Sequence, residues 1–167
     1  MPTEDAARPP ASQGTVRVLF LCYGNACRSQ MAEAYARALA GDRLEARSAG
    51  VRPVGFVPAE VGTVMAEEGI SIDGQYSKSL HELGGEPFDL IVDLAGVLAE
   101  KAGGIPVRSR PVVDPFGGDL DDYRRTRTAV RAEIEALLAD LKSSSEEEAG
   151  PGAAGADPAE EPRTTPE

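Results

Sequence analysis

The sequence predicts a three-layer α/β/α fold: one parallel sheet of four strands in the order 2-1-3-4, with helices on both faces. Three observations carry this. Apolar runs of strand length alternate with segments of helical periodicity, a pattern that builds parallel sheets with crossover helices. The first run, Val16-Arg17-Val18-Leu19-Phe20-Leu21, is apolar enough for a central strand. It passes straight into a polar loop and then a helix, which puts the loop at the carboxyl end of a strand, where such sheets bind ligands.

Strand one is expected over 16–21. Helix one follows from Ser29 to Ala40 and stops at Gly41, with Met31, Ala34, Tyr35 and Ala38 at the spacing that faces a sheet. Strand two covers 44–48 and runs into Ala49-Gly50. Residues 51–57 hold too many Gly and Pro residues for a regular element and form a loop beside the first one. Pro58 suits a helix start, so helix two runs from Ala59 to Glu68 and ends at Gly69. Residues 77–83 read as a loop with a short helix and 88–94 as strand three. A short helix is expected over 97–102 before Gly103-Gly104, and strand four over 107–112. The last helix spans Leu120 to Lys142, with Tyr123, Val130, Ile134, Leu137, Leu138 and Leu141 on its apolar side.

Residues 15–142 therefore form one domain, large enough to bury a core without disulfides. Residues 1–14 and 143–167 read as disordered tails, since neither shows apolar periodicity. The second tail carries seven acids against Arg163, a share of −6 in a total net charge of −11. This acidity argues against nucleic acid or an anionic membrane as partner. No stretch has the apolar length of a membrane span, and the N-terminus lacks the apolar core of a signal peptide. Two cysteines, both in the first loop, fit a reducing, cytoplasmic setting.

That loop is Cys22-Tyr23-Gly24-Asn25-Ala26-Cys27-Arg28-Ser29. A loop of this length that opens a helix can turn several N–H groups inward and bind a tetrahedral oxyanion. Arg28 can clasp two of the oxygens with its planar fork. A cysteine held in such a field is favoured as a thiolate and becomes a nucleophile. Alone, Cys22 would read as a buried structural thiol; with Gly24, Asn25, Arg28 and Ser29 around it, it reads as catalytic. Gly24 lets the backbone approach the anion, Asn25 fixes the loop, with Ser48 as a candidate partner, and Ser29 either assists the sulfur or caps the helix. The loop residues Gly24, Asn25, Ala26, Cys27 and Ser29 thus form the expected oxyanion cradle. His81, the single histidine, reads as a surface residue. No metal-ligand spacing, Walker loop or dinucleotide fingerprint occurs, so no cofactor is expected.

The string Val-Leu-Phe-Leu-Cys-x-Gly-Asn-x-Cys-Arg-Ser-x-Met-Ala-Glu-Ala over 18–34, with Ser48-Ala49-Gly50 and Asp114-Pro115-Phe116-Gly117-Gly118, resembles the low-molecular-weight protein tyrosine phosphatases and their sister branch, the arsenate reductases of the same fold. The resemblance covers about residues 15–142 and implies a flavodoxin-like sheet. It also implies that Asp114 is the general acid and base and that Phe116 borders the substrate. Cys27 is implied as either a space-filling side chain or a partner for a protective disulfide with Cys22.

The two branches pull apart on particular residues. Gln30, the run 68–75 and Ser77-Lys78-Ser79-Leu80 look like arsenate reductases. The thioredoxin-coupled reductases use two further cysteines after strand three, and those places hold Ala95 and Ala102, so a reductase would need an external thiol. Asp114 to Gly118 and Tyr123 look like phosphatases, which is the branch favoured. The substrate expected is a phosphorylated protein or a small phosphoester, with arsenate and phosphoarginine open, because 51–57 offers only Phe56 as an aromatic wall. A non-catalytic oxyanion-binding module is the remaining alternative.

Overall fold

The computed structural model describes residues 15–98 and 101–153, without the side chains of Lys101 and of residues 143–153. Strand β1 (Val16–Cys22) lies at the centre of the sheet. It pairs in parallel with β2 (Leu44–Gly50) on one side, Val16 opposite Leu44 and Cys22 opposite Gly50. On its other side it pairs with β3 (Leu90–Asp93), Val18 opposite Leu90 and Leu21 opposite Asp93. β3 pairs in parallel with β5 (Ile105–Ser109). The four parallel strands thus stand in the expected 2-1-3-4 order.

A fifth strand, β4 (Lys101–Ala102), pairs antiparallel with β5 at the sheet edge. It lies where the sequence predicts the end of a helix over 97–102. The reason is the turn. Gly103 and Gly104 have φ of 59° and 83°, the two left-handed positions that a tight hairpin requires, and this outweighs the helical propensity of the residues before them.

Helix α1 (Arg28–Ala40) buries Met31, Ala34 and Tyr35 as expected, but Ala38 is exposed. Towards its end the helix turns Ala36 and Ala40 inward instead. Helix α2 (Ala59–Ala66) ends two residues earlier than expected. Its last turn tightens, with Glu68 N donating to Met65 O and Gly69 N to Ala66 O, before Gly69 at φ 75° leaves the helix. Helix α3 begins at Leu120 as expected but runs to Ala153 (Leu120–Ala153) rather than Lys142. Adding a residue to an existing helix needs no new nucleus, and the Glu146-Glu147-Glu148-Ala149 stretch is rich in helix formers. The remainder of the predicted tail, and residues 1–14, lie outside the described residues. Of the described residues, those up to Ile134 form one compact unit and those from Glu135 a second.

In the first unit both faces of β1 are covered. Leu19 and Leu21 join a cluster with Ala49, Leu83 and Ile91, against which Phe88, Leu98, Ile105 and Val107 pack. Leu83 comes from a single 3-10 turn, His81–Leu83. Val18 and Phe20, pointing to the opposite face, are fully buried. The α-helices adjoin one another. Tyr35 Oη of α1 donates to Glu68 Oε1 at 2.6 Å, and Arg127 Nη1 of α3 donates to Val64 O of α2 at 2.7 Å. Among the described residues no helix is long and apolar enough to cross a membrane.

Candidate active site

The 22–29 loop leaves the end of β1 and enters α1. Helix α1 starts at Arg28 with no side-chain cap on its first amides, which leaves them as donors for something bound in the loop. That also decides Ser29: it lies inside the helix and is not its cap. Its hydroxyl accepts from Asn25 Nδ2 at 2.7 Å, leaving its hydrogen for Cys22 Sγ at 3.0 Å.

Asn25 holds the loop in shape. Its φ is 49°, a left-handed conformation that asparagine tolerates and most residues do not. It is fully buried, and its amide also donates to Ser48 Oγ at 3.1 Å, the partnership the sequence suggests. Its Oδ1 accepts from Lys78 N at 2.8 Å and from Gln30 Nε2 at 3.0 Å. Gly50 lies so close behind that a Cβ there would sit 2.8 Å from Asn25 N. Along the side, Arg52 N donates to Tyr23 O at 2.9 Å and Val54 N to Gly24 O at 3.1 Å, so 51–57 does run beside the loop.

A second layer, not identified from the sequence as part of the site, braces this one. Gln30 Nε2 also reaches Asn25 O (3.0 Å) and Tyr76 O (2.9 Å), and Gln30 Oε1 accepts from Gln75 at 2.8 Å. Ser77 Oγ donates to Gly24 O at 3.2 Å and accepts from Gly55 N at 3.1 Å. Ser48 donates to Glu33 Oε1 at 2.5 Å, and the buried Lys78 ammonium stands 3.9 Å from the same carboxylate. Burial lowers the Lys78 pKa, and Glu33 opposes that shift. Glu33 is also paired with Arg37. The sequence signal for these residues is slight: Gln30, Gln75, Ser77 and Lys78 stand out only as marks of one family branch.

Arg28 is buried, with its guanidinium against Leu94, Val112 and Asp114. Nη1 donates to Val112 O at 3.0 Å and Leu94 O at 3.4 Å, and Nη2 stands 3.4 Å from Asp114 Oδ2. Its Nε is buried with no hydrogen-bond partner among the described residues. Asp114 opens a turn in which its Oδ1 accepts from Phe116 N at 3.1 Å and Gly118 N donates to Pro115 O at 2.7 Å. Thr126 of α3 holds that segment by donating to Val113 O. The half-exposed Phe116 ring lies 6.0 Å from Phe56 at 52°, so the two aromatic residues meet although sixty positions apart.

Ala26 and Cys27 are buried in the loop. Burial pushes the Cys27 thiol up to about 12, against a weak contact with Tyr123 Oη at 4.0 Å. Both cysteines are free thiols. His81 is exposed. Among the described residues no cluster of His, Cys, Asp and Glu could hold a metal ion.

The site thus brings together a cysteine at a strand end, a helix start without a side-chain cap, and an arginine paired with a carboxylate. The chain belongs to the low molecular weight phosphotyrosine protein phosphatase family, whose model matches residues 17–147. It is 30% identical over 129 residues to a glutaredoxin arsenate reductase of Synechocystis sp., covering 75% of this chain and 98% of that one. Among solved structures it resembles an arsenate reductase in the phosphate-binding state (TM-score 0.68, 28% identity, covering 75% of this chain and 98% of that one). It also resembles a low molecular weight protein tyrosine phosphatase from T. tengcongensis (TM-score 0.62, 32% identity, covering 75% and 99%).

Proposed function

We propose that this chain is a cysteine-dependent phosphatase that hydrolyses phosphotyrosine-type monoesters through a cysteinyl-phosphate. The observation that carries this reading is the meeting of Arg28 and Asp114, 3.4 Å apart, with the guanidinium Nε buried and unpartnered beside them. A phosphoryl oxygen would satisfy that donor, and the leaving oxygen would then stand near a carboxyl group able to protonate it.

In the first step Cys22 Sγ attacks phosphorus and the bond to the leaving oxygen breaks, while Asp114 gives that oxygen its proton. In the second, Asp114 takes a proton from water, the water oxygen attacks phosphorus and the sulfur–phosphorus bond breaks. Arg28 and the amides of 24–29 hold the remaining oxygens throughout. Ser29, donating to the sulfur, eases its departure as thiolate. The Phe56–Phe116 pair supports an aryl group on the substrate by supplying the aromatic wall that 51–57 lacks by itself.

The second reading is arsenate reduction, favoured by the names of the relatives. It needs a thiol to attack the Cys22 sulfur of a cysteine–arsenate adduct, forming a disulfide and releasing arsenite. Cys27 is the other sulfur nucleophile of the sequence, and its thiol is held protonated by burial. An external thiol would have to supply the electrons. One preparation assayed for p-nitrophenyl phosphate hydrolysis and for glutathione- and glutaredoxin-dependent arsenite formation separates the two. Hydrolysis that Cys22→Ser abolishes supports the phosphatase; arsenite formation without hydrolysis overturns it.

A further inference from the structure

A groove of about 680 Å³ lies between segment 111–118 and helix α3. Its wall is tied to the 22–29 loop through Arg28. Asp114 and Phe116 line it and also face the site, and the Val112 carbonyl in its wall accepts from Arg28. Its size is that of a pocket for a sizeable organic group, well beyond what a phosphoryl group and one phenyl ring fill.

Its lining is mixed, with an apolar part and a charged rim. Pro111, Val112, Val113, Phe116 and Ala129 form much of the lining, and Val113 is 82% exposed. The charged groups there already have partners. Arg125 pairs with Asp122, Glu133 with Arg110 at 3.5 Å, and Asp114 with Arg28. A charged ligand would have to break one of those pairs, whereas an apolar one only displaces water.

Resting on the phosphatase reading, we propose that this groove receives the apolar side chain of a residue flanking the phosphorylated residue of a peptide substrate. The phosphate enters the loop, the phosphorylated ring passes Phe116, and the neighbouring aliphatic or aromatic side chain lies against Val113 and Ala129. The substrate class is then a phosphorylated protein segment with an apolar neighbour, in preference to a small phosphoester, which would leave the groove empty.

The test uses the full chain carrying Cys22→Ser, so that substrate binds without turnover. Fluorescence anisotropy compares phosphotyrosine peptides that differ only in having Leu, Gly or Lys on either side of the phosphorylated residue. The Leu peptide should bind about tenfold more tightly than the Gly peptide, as burial of part of one leucine provides. Adding Ala129→Arg or Ala129→Glu, which fill the groove with opposite charges, should remove the Leu advantage and leave the Gly peptide unchanged. Equal binding of the Leu and Gly peptides, or a Leu advantage that survives both Ala129 variants, overturns the groove assignment alone. Failure to bind any phosphotyrosine peptide overturns the phosphotyrosine reading along with it.

Discussion

Asn25→Ala removes the side chain that ties the oxyanion loop to the protein behind it. In the structure that side chain makes four buried contacts, to Ser29 Oγ, Ser48 Oγ, Lys78 N and Gln30 Nε2, at 2.7 to 3.1 Å. At about 1 kcal/mol net for each, their loss destabilises by about 4 kcal/mol. Alanine at φ 49° adds about 1 kcal/mol, because its Cβ disfavours the left-handed region. About 5 kcal/mol is a large part of the stability of an ordinary domain. Asn25→Gly keeps the conformation accessible and should be milder by about 1 kcal/mol. Urea unfolding followed by circular dichroism measures both losses, and p-nitrophenyl phosphate hydrolysis at low urea measures the effect on the site. A drop on the order of 100-fold in rate is expected when the amides lose their aim. A loss of less than about 1 kcal/mol, or a folded Asn25→Ala variant hydrolysing at the parent rate, would refute the idea that this side chain shapes the loop.

Asp114→Asn should cost on the order of 100- to 10,000-fold in hydrolysis of phenyl phosphate, yet little with a dinitrophenyl leaving group that needs no proton, so the dependence of rate on leaving-group pKa steepens. At pH 8 the native protein should take up no more than one equivalent of iodoacetamide, at Cys22. A second should react only after unfolding, because burial keeps Cys27 protonated up to about pH 12; mass spectrometry of the labelled peptides reads this directly. Arg124, followed by Arg127, holds the exposed Glu67 carboxyl down to about 2 from an ordinary 4.5. Its folded pKa is below its unfolded one, so its contribution is complete above about pH 4.5 and is lost as pH falls towards 2. Glu67→Gln should flatten that part of the acid-unfolding curve followed by circular dichroism.

What the sequence made legible was local. The 22–29 loop can be read because strand, turn and helix start are consecutive; the parallel sheet follows from the alternation of elements, and its order from the flavodoxin-like arrangement that the resemblance implies. The helix expected over 97–102 failed because propensity was read and the Gly103-Gly104 turn was given no weight as a hairpin signal. Lys78 and Ser77 reach the loop from 53 positions away, and Gln75 reaches Gln30 from 45 away, so no spacing rule connects them to the site. The same holds for Phe56, whose meeting with Phe116 depends on how two separate loops lie over the sheet end. Glu33 looks like an ordinary acid on a helix; only the fold shows it buried against Ser48 and Lys78.

The bracing by Gln30, Ser77 and Lys78 has a bearing on selectivity. On the phosphatase reading, loop amides fastened from the rear would be set in place before any guest arrives, with little reshaping around one. On that reading, discrimination among anions would fall to fit: a tetrahedral species of phosphate size would reach every donor, whereas planar nitrate or a carboxylate would leave several of them facing nothing. The same stiffness makes arsenate hard to tell from phosphate by shape alone, so fold relatives with different chemistries need to differ only in what lies outside the ring.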